Sequence, residues 1–231
     1  MINSSSVSPS RPIALSGSAE AKVYGLLALA MALTALGAFL GIFFAPLLLS
    51  TGIHIVFLFV ELGIIFTAKL WMGRSPLNVV LFALFPLLSG FTITPYLLSV
   101  LSAYANGGAI LLNAALATAC MTGASALFAK TSGVDFSVLG RVLMLSLFGL
   151  VFLGIFQIFI PSLQGTRFEV MISGVGILVF SLFIAFDVQR TTLLAKSGGN
   201  PFLLALSLYL DIFNLFLYVL RFMVAISGNR R

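Results

Sequence analysis

Charged residues are scarce in this chain. Only 8% of its 231 residues are Asp, Glu, Lys or Arg, whereas 61% are hydrophobic, and the mean hydropathy is +1.19. A soluble domain carries about 25% charged residues, so this composition excludes a secreted globular domain, a coiled coil and a disordered protein. Because one membrane-spanning helix needs about 20 apolar residues, the length predicts six to eight spans. The expected fold is an all-α, polytopic membrane bundle.

Cysteine is nearly absent, and acidic residues are half as frequent as basic ones. The one cysteine, Cys120, lies in an apolar run, so it is interpreted as a packing residue. The net charge is +6, but the basic residues lie at the ends of apolar runs and form no stripe with aromatics. The predicted partner is therefore the lipid bilayer, not a nucleic acid. No phosphate-binding loop or zinc-ligand cluster occurs, so no cofactor is expected.

The chain divides into two tails and one hydrophobic domain. Residues 1–21 form a Ser- and Pro-rich segment that is expected to be disordered, 22–226 form the transmembrane domain, and 227–231 are a short basic tail. The domain contains seven hydrophobic segments, at 23–45, 52–72, 77–99, 107–129, 138–160, 169–188 and 201–226. Short breaks rich in Gly, Pro, Ser and Asn separate them, so neighbouring helices are expected to pack antiparallel.

Loop charges predict a cytoplasmic N-terminus. With that end inside, eight basic residues flank the inner connections: Arg11, Lys22, Lys69, Arg74, Lys130, Arg141, Arg190 and Lys196. The outer connections hold only Arg167, which is a strong positive-inside bias. Seven full spans would leave Arg221 and the C-terminal arginines outside. Either the last segment crosses against the charge rule, or it is re-entrant.

Three carboxylates lie within the apolar segments, where a charge is costly and needs a reason. They are Glu61 in the second segment, Asp187 near the inner end of the sixth, and Asp211 well inside the seventh. Lys69 is a poor partner for Glu61, since eight residues place it about 80° around and roughly 12 Å along the helix. A partner from another helix is therefore expected for Glu61.

Asp211 belongs to a polar stripe on the seventh segment. Its members recur every three or four residues and fall on one helix face: Ser207, Asp211, Asn214, Tyr218 and Arg221. The rest of this helix is apolar. The stripe therefore faces a cavity or other helices, or it is a hydrogen-bonded seam without a transport role.

Asp187 and Asp211 are expected to approach each other if segments six and seven pack antiparallel. Two carboxylates in a low-dielectric bundle then share a proton and titrate as a unit. Such a pair offers oxygen ligands to Ca²⁺, which it would bind transiently, or serves as a proton relay. The alternative for Asp187 is a simple salt bridge with Arg190.

The same polar residues can be compared with those that known membrane proteases and retinal proteins require. The chain lacks the Ser–His arrangement of a rhomboid protease and the lysine in the last helix of a retinal protein. An intramembrane aspartyl protease has the required two aspartates, but its usual Gly-x-Gly-Asp is absent, since Asp187 follows Ile-Ala-Phe. No catalytic residue is assigned, and the chain is expected not to be an enzyme.

Four stretches resemble the Bax inhibitor (transmembrane Bax inhibitor motif) family in its bacterial branch. They are 186–189 (FDVQ), 205–216 (ALSLYLDIFNLF), 90–95 (GFTITP) and 135–140 (DFSVLG). The resemblance covers residues 22–226. It implies seven helices with the last one central, a bacterial inner membrane, and a pH-sensitive calcium leak.

The resemblance also implies roles for individual residues. Asp187 and Asp211 match an aspartate pair that holds a gate by hydrogen bonding. A basic residue after the second span favours the closed form in that family, and Arg74, or as second choice Lys69, is the candidate here. If neither reaches the pair, the closed state is expected to be weaker. Glu61 resembles an acidic residue of the same span.

The function predicted from the sequence is a pH-sensitive Ca²⁺ leak channel or Ca²⁺/H⁺ exchanger, with Ca²⁺ and H⁺ as its small partners. Its pathway residues are predicted to be Asp187, Asp211, Arg74, Lys69, Glu61, Ser207, Asn214 and Tyr218. The alternatives are an intramembrane aspartyl protease and a non-catalytic regulator of another membrane protein.

Overall fold

The computed structural model describes residues 13–228, apart from the side chains of 13–18 and of Lys196. Within this range the chain forms α-helices joined by short turns and two 3-10 helices, with no strand, which confirms the all-α prediction. The helices are α1 (Ile13–Phe43), α2 (Ala45–Thr51), α3 (Ile53–Phe66), α4 (Ala68–Trp71), α5 (Leu77–Ala103), α6 (Gly107–Thr131), α7 (Gly140–Phe159), α8 (Thr166–Lys196) and α9 (Pro201–Ile226).

The first helix begins earlier than the apolar run. α1 starts at Ile13, so residues 13–21 of the predicted tail are helical. This stretch contains several Ala together with Leu and Glu, which favour the helix. Residues 1–12 and 229–231, which include most of the predicted tails, lie outside the described residues.

Six helices are long and apolar enough to cross a membrane, and a bent pair makes up a seventh segment. The pair is α2 and α3, which meet at 87°. Gly52 forms the corner with φ of 66°, a left-handed conformation that glycine adopts without strain. The second segment also breaks at Thr67, where α3 ends. The break therefore lies in the second segment, and not in the seventh, which is one continuous helix of 26 residues.

α9 is the most buried of the six long helices. It contacts α1, α5, α6 and α8, so it occupies the centre of the bundle. The large apolar side chains of the outer helices are instead exposed: Phe66 is 83% exposed and Phe159 74%. Such surfaces are stable in lipid, where apolar exposure carries no hydrophobic cost.

Glycines allow α1 and α5 to pack backbone to backbone. A Cβ at Gly37 would collide with the Leu87 carbonyl, and one at Gly90 would collide with the backbone of Thr34 and Ala38. The Gly37-x-x-x-Gly41 spacing is a signature of this close approach. α5 remains helical through Pro86 and Pro95.

Candidate functional site

The short turn between α8 and α9 brings the two aspartates together. α8 ends at Lys196 and α9 begins at Pro201, so the two helices run antiparallel after a turn of four residues. The Asn200 side chain caps α9 by accepting from the Phe202 N–H at 2.9 Å. Its amide also donates to the Met72 carbonyl at 2.9 Å. The turn is thereby fixed to the end of the second segment.

Asp187 and Asp211 form one buried cluster, as the sequence predicts. The two residues are 4% and 7% exposed, and their carboxyl groups lie close enough to interact with each other. Ser207, also a member of the predicted stripe, hydrogen-bonds to Asp187. Because ionised carboxylates are only acceptors, a hydrogen bond between the two carboxyl groups would need one proton between them.

One oxygen of the pair is left without a partner. Asp211 Oδ2 is buried and accepts no hydrogen bond from residues 13–228. Thr191 Oγ1, one turn beyond Asp187 on α8, is also buried and unpartnered. Buried polar atoms without partners are rare in folded proteins, so these two oxygens are candidates for transient contact with water or a cation.

The basic residue beside the pair is Arg190. Its Nη1 lies 3.5 Å from Asp187 Oδ1, and its side chain is 41% exposed. Lys69 and Arg74, the residues predicted to meet the pair, are exposed, and within the described part of the chain neither forms an ion pair. The buried residues next to them are Trp71 and Met72. The alternative considered for Asp187, a salt bridge to Arg190, therefore coexists with the aspartate pair.

The C-terminal part of the polar stripe lines a cavity of about 870 Å³. This cavity lies at the end of the bundle where α8 begins and α9 ends. Asn214, Tyr218 and Arg221 contribute from α9, and Tyr96 and Tyr104 contribute from α5 and the residue that follows it. The stripe therefore faces other helices at Asp211 and a cavity from Asn214 onward. Each of the two predicted surroundings occurs, on a different turn of α9.

A charged cluster closes one wall of this cavity. Arg221 Nη2 donates to Glu169 Oε2 at 2.8 Å and to Gln157 Oε1 at 2.9 Å. Gln157 also donates to Glu169 and to the Leu163 carbonyl. Gln157 and Glu169 were not predicted as site residues, because they lie 64 and 52 positions from Arg221. Only the tertiary fold brings them together.

Glu61 lies in a separate polar cluster. It is 7% exposed and accepts hydrogen bonds from Ser89 Oγ at 2.9 Å and Thr92 Oγ1 at 2.5 Å. Both partners are on α5, in agreement with the expectation of a partner from another helix. Among residues 13–228, Lys69 forms no ion pair with this carboxylate.

Gln189 anchors the loop between α6 and α7 to α8. Its Oε1 accepts from the Phe136 N–H at 2.9 Å, and its Nε2 donates to the carbonyls of Ala129 at 3.0 Å and Val134 at 2.6 Å. In the same loop, the Ser137 hydroxyl and N–H hydrogen-bond to Asp135 and lower the pKa of its carboxyl group. The loop is therefore held against α8 on the turn that also carries Asp187.

The described residues contain no group of three or more His, Cys, Asp or Glu that could hold a metal ion. Ca²⁺ takes six to eight oxygen ligands, more than two aspartates and nearby hydroxyls supply.

Comparison with known proteins identifies the family. Residues 18–229 match the model of the family described as inhibitor of apoptosis-promoting Bax1. An uncharacterized protein of Campylobacter jejuni is 33% identical over 210 residues, which cover 90% of this chain and 88% of the relative.

Relatives also occur outside bacteria. A BI1-like protein of Arabidopsis thaliana is 32% identical over 208 residues, covering 87% of this chain and 77% of its own. A Golgi anti-apoptotic protein of vaccinia virus strain Lister is 31% identical over 210 residues, covering 87% and 82%. With a family match across nearly the whole chain and a helical bundle that buries the paired aspartates, this multi-pass membrane protein belongs to the Bax inhibitor family.

Proposed function

We propose that this protein conducts cations, Ca²⁺ in particular, in a pH-dependent way, as a leak channel or as a Ca²⁺/H⁺ exchanger gated by Asp187 and Asp211. The observation that carries this proposal is the pair of neighbouring aspartates buried between α8 and α9. Ionisable residues are costly in a membrane and usually belong to ion or proton pathways.

The pair supplies a switch that responds to pH. With one shared proton, the hydrogen bond joins α8 to α9 and the route is closed. When that proton leaves to water, two adjacent carboxylates repel each other across a low-dielectric gap. The helices then separate at this level, and the carboxylate oxygens become available to a passing cation.

The rest of the stripe supports a route along α9. The cavity lined by Asn214 and Tyr218 lies on one side of the pair. Arg190 lies on the other side and is partly exposed. A cation would move from the cavity past Asn214 to the aspartates and leave beside Arg190. Lys69 and Arg74 have no part in this route.

We further propose a bacterial inner-membrane location with the N-terminus in the cytoplasm. The basic residues of the inner connections favour this orientation. If α2 and α3 together cross the membrane, the continuous α9 ends outside, and the 870 Å³ cavity opens to the outer face. Reporter fusions at residues 12 and 228 test this orientation, and it predicts that the two ends lie on opposite sides.

A regulatory function is the second candidate, because one relative is named a Golgi anti-apoptotic protein. This candidate predicts a stable membrane-protein partner after extraction in a gentle detergent, together with no intrinsic ion flux. We propose no enzymatic activity.

Ca²⁺ flux into dye-loaded liposomes between pH 5 and 8 tests the proposed function. The variants are Asp187→Asn and Asp211→Asn, and the matched control is Glu20→Gln, an acid outside the pair. Wild type and control are expected to show the same pH-dependent flux, whereas both aspartate variants lose the pH response. Absence of flux at every pH from protein with a helical circular dichroism spectrum would overturn the proposal. So would an unchanged pH response in both variants.

A further inference from the structure

Glu61 is a buried acid that the aspartate mechanism does not use. It lies on α3, whereas the aspartates lie on α8 and α9. The ion pairs formed within residues 13–228 do not include it. A membrane carboxylate without a counter-ion must be stabilised by hydrogen-bond donors or by a proton.

Hydroxyl groups surround this carboxylate. Ser89 Oγ approaches Oε2 at 2.9 Å, and Thr92 Oγ1 approaches Oε1 at 2.5 Å. Each carboxylate oxygen therefore has one hydroxyl partner. Ser89 is 1% exposed, so its hydroxyl has no access to bulk solvent.

The hydrogen bonds continue through the centre of the bundle. The Ser89 hydroxyl also lies near the hydroxyl of Tyr209 on α9, which is 2.7 Å from Thr34 Oγ1 on α1. Thr34 donates to the Ala30 carbonyl at 3.1 Å. We call Glu61, Ser89, Tyr209 and Thr34 the hydroxyl chain. It connects α3, α5, α9 and α1.

Aromatic packing isolates the middle of the hydroxyl chain from water. Tyr209 is fully buried, Phe213 stacks on its ring at 5.7 Å, and Phe85 contacts it edge-on at 5.9 Å. In such a site each hydroxyl proton must be donated to a protein acceptor, because an unpaired donor is costly.

The protonation state of Glu61 limits which directions the hydroxyl chain can take. When Glu61 is ionised, it only accepts, so Ser89 donates to Glu61 and Tyr209 donates to Ser89. When Glu61 is protonated, it can donate to Ser89, and the Ser89 proton is then free for Tyr209 or for the Phe85 carbonyl, which lies 3.1 Å from Ser89 Oγ. The Tyr209 proton then turns to Thr34, and Thr34 continues to donate to Ala30. Both arrangements satisfy every hydroxyl, and they differ in direction.

We propose that Glu61 is a second proton-binding site, separate from the aspartate pair, and that the hydroxyl chain reverses its direction when Glu61 gains or loses a proton. The proton comes from hydronium, binds a carboxylate oxygen of Glu61 and leaves one water behind. Tyr209 lies two residues before Asp211 on α9, so the state of Glu61 is communicated to the central helix. The site exists whether or not the protein conducts Ca²⁺.

The elements packed against α3 bring few other titratable groups. α2 contributes none, α4 contributes the exposed Lys69, and α5 contributes Tyr96. His54, on α3 itself, has its Nδ1 3.0 Å from the Leu48 carbonyl. From α9, Tyr209 is the group that reaches this cluster, and Asp211 faces Asp187 instead.

Infrared difference spectra of the reconstituted protein between acidic and alkaline pH test the proposal without measuring flux. A carboxylic-acid carbonyl band that appears on acidification is expected in wild type. It is expected to persist in the Asp187→Asn/Asp211→Asn double variant and to disappear in Glu61→Gln. Labelling with ¹³C-glutamate assigns the band independently of any variant, since it moves Glu bands and leaves Asp bands in place.

The reversal of the hydroxyl chain has its own signature. The tyrosine C–O band of Tyr209 is expected to change with pH in wild type and in the control Ser146→Ala, whose hydroxyl lies outside the hydroxyl chain. It is expected to stay constant in Glu61→Gln and to be missing in Tyr209→Phe. Tyr209→Phe keeps the ring packing, and it is expected to shift the pH midpoint of the Glu61 band by at least threefold in proton concentration.

Two results would overturn the proposal. One is a carbonyl band that ¹³C-glutamate does not move, which means that Glu61 takes up no proton in this range. The other is a Glu61 band whose midpoint and frequency are the same in Tyr209→Phe and Ser89→Ala as in wild type. These outcomes are independent of the liposome flux result, so failure here leaves the proposed function to its own test.

Discussion

The guanidinium of Arg190 lies 3.5 Å from the carboxylate of Asp187, one turn further along α8. The positive charge next to the aspartate pair is therefore on α8, the same helix as Asp187. A partner on the same helix moves with Asp187, so this ion pair does not have to break when α8 and α9 separate.

Removal of the Arg190 charge is expected to increase cation flux through the open route. A positive charge beside the route lowers the local Ca²⁺ concentration, so Arg190→Gln is expected to raise Ca²⁺ flux about three- to tenfold at pH 8, the end of the pH range at which the proposed gate is open. Arg190→Lys keeps the charge and is expected to stay within about twofold of wild type. Arg141→Gln, an exposed arginine at the start of α7, is the control in the same liposome assay. Lower flux in Arg190→Gln than in the control would contradict this role.

The cluster formed by Arg221, Glu169 and Gln157 at the C-terminal end of α9 is expected to stabilise the fold. Glu169→Gln weakens two charge-assisted hydrogen bonds from Arg221, which is expected to cost about 1–2 kcal/mol in free energy of unfolding. Thermal unfolding in detergent of Glu169→Gln, Arg221→Gln and the double variant measures the coupling. Equal effects in Glu169→Gln and in Arg167→Gln, an arginine outside the ion pairs described, would show that the cluster contributes nothing specific.

Gly90 is expected to be the most sensitive glycine in the contact between α1 and α5. In Gly90→Ala the new methyl meets the backbone of Thr34 and Ala38, which cannot move aside as a side chain can. We expect a loss of about 1–3 kcal/mol, visible as a lower midpoint of unfolding. Gly123→Ala is the matched control, because a Cβ there has no neighbour within 4 Å. Equal stability of the two variants would argue against close helix packing.

The Gln189 side chain is expected to control the mobility of the loop between α6 and α7. Gln189→Leu preserves approximate size but leaves the Phe136 N–H and two carbonyls without their partner. Hydrogen exchange at Phe136 is expected to accelerate at least about tenfold, the effect of losing roughly 1.4 kcal/mol of protection. Exchange within α5 serves as the internal reference. Unchanged exchange at Phe136 would mean that other contacts hold the loop.

The aspartate pair could be predicted from the sequence because its determinants are local. A short turn between two apolar segments implies antiparallel helices, and the spacing of Ser207, Asp211 and Asn214 defines one face of α9. The salt bridge to Arg190 is also local, three positions from Asp187. In the structure Asp187 lies beside both Asp211 and Arg190, which is possible because its carboxyl group has two oxygens.

The other two polar clusters could not be predicted because their members are distant in the sequence. Tyr209 and Thr34 are separated by 175 positions, and Arg221 and Gln157 by 64. Ser and Thr are common in membrane helices, so Ser89 and Thr92 gave no signal of their own. The predicted break between the first two segments ends at the Gly52 corner, but the sequence indicates neither the short helix α2 that occupies this break nor the angle of 87° between α2 and α3.

A double-mutant comparison of flux against pH tests the central claim, that Asp187 and Asp211 act as one proton-sharing unit. Ca²⁺ flux is measured from pH 5 to 8 for wild type, Asp187→Asn, Asp211→Asn and the double variant in the same liposomes. If the pair is the gate, each single variant removes the pH response, and the double variant changes it no further. Independent effects that multiply in the double variant, or a pH response that survives in it, would contradict the account.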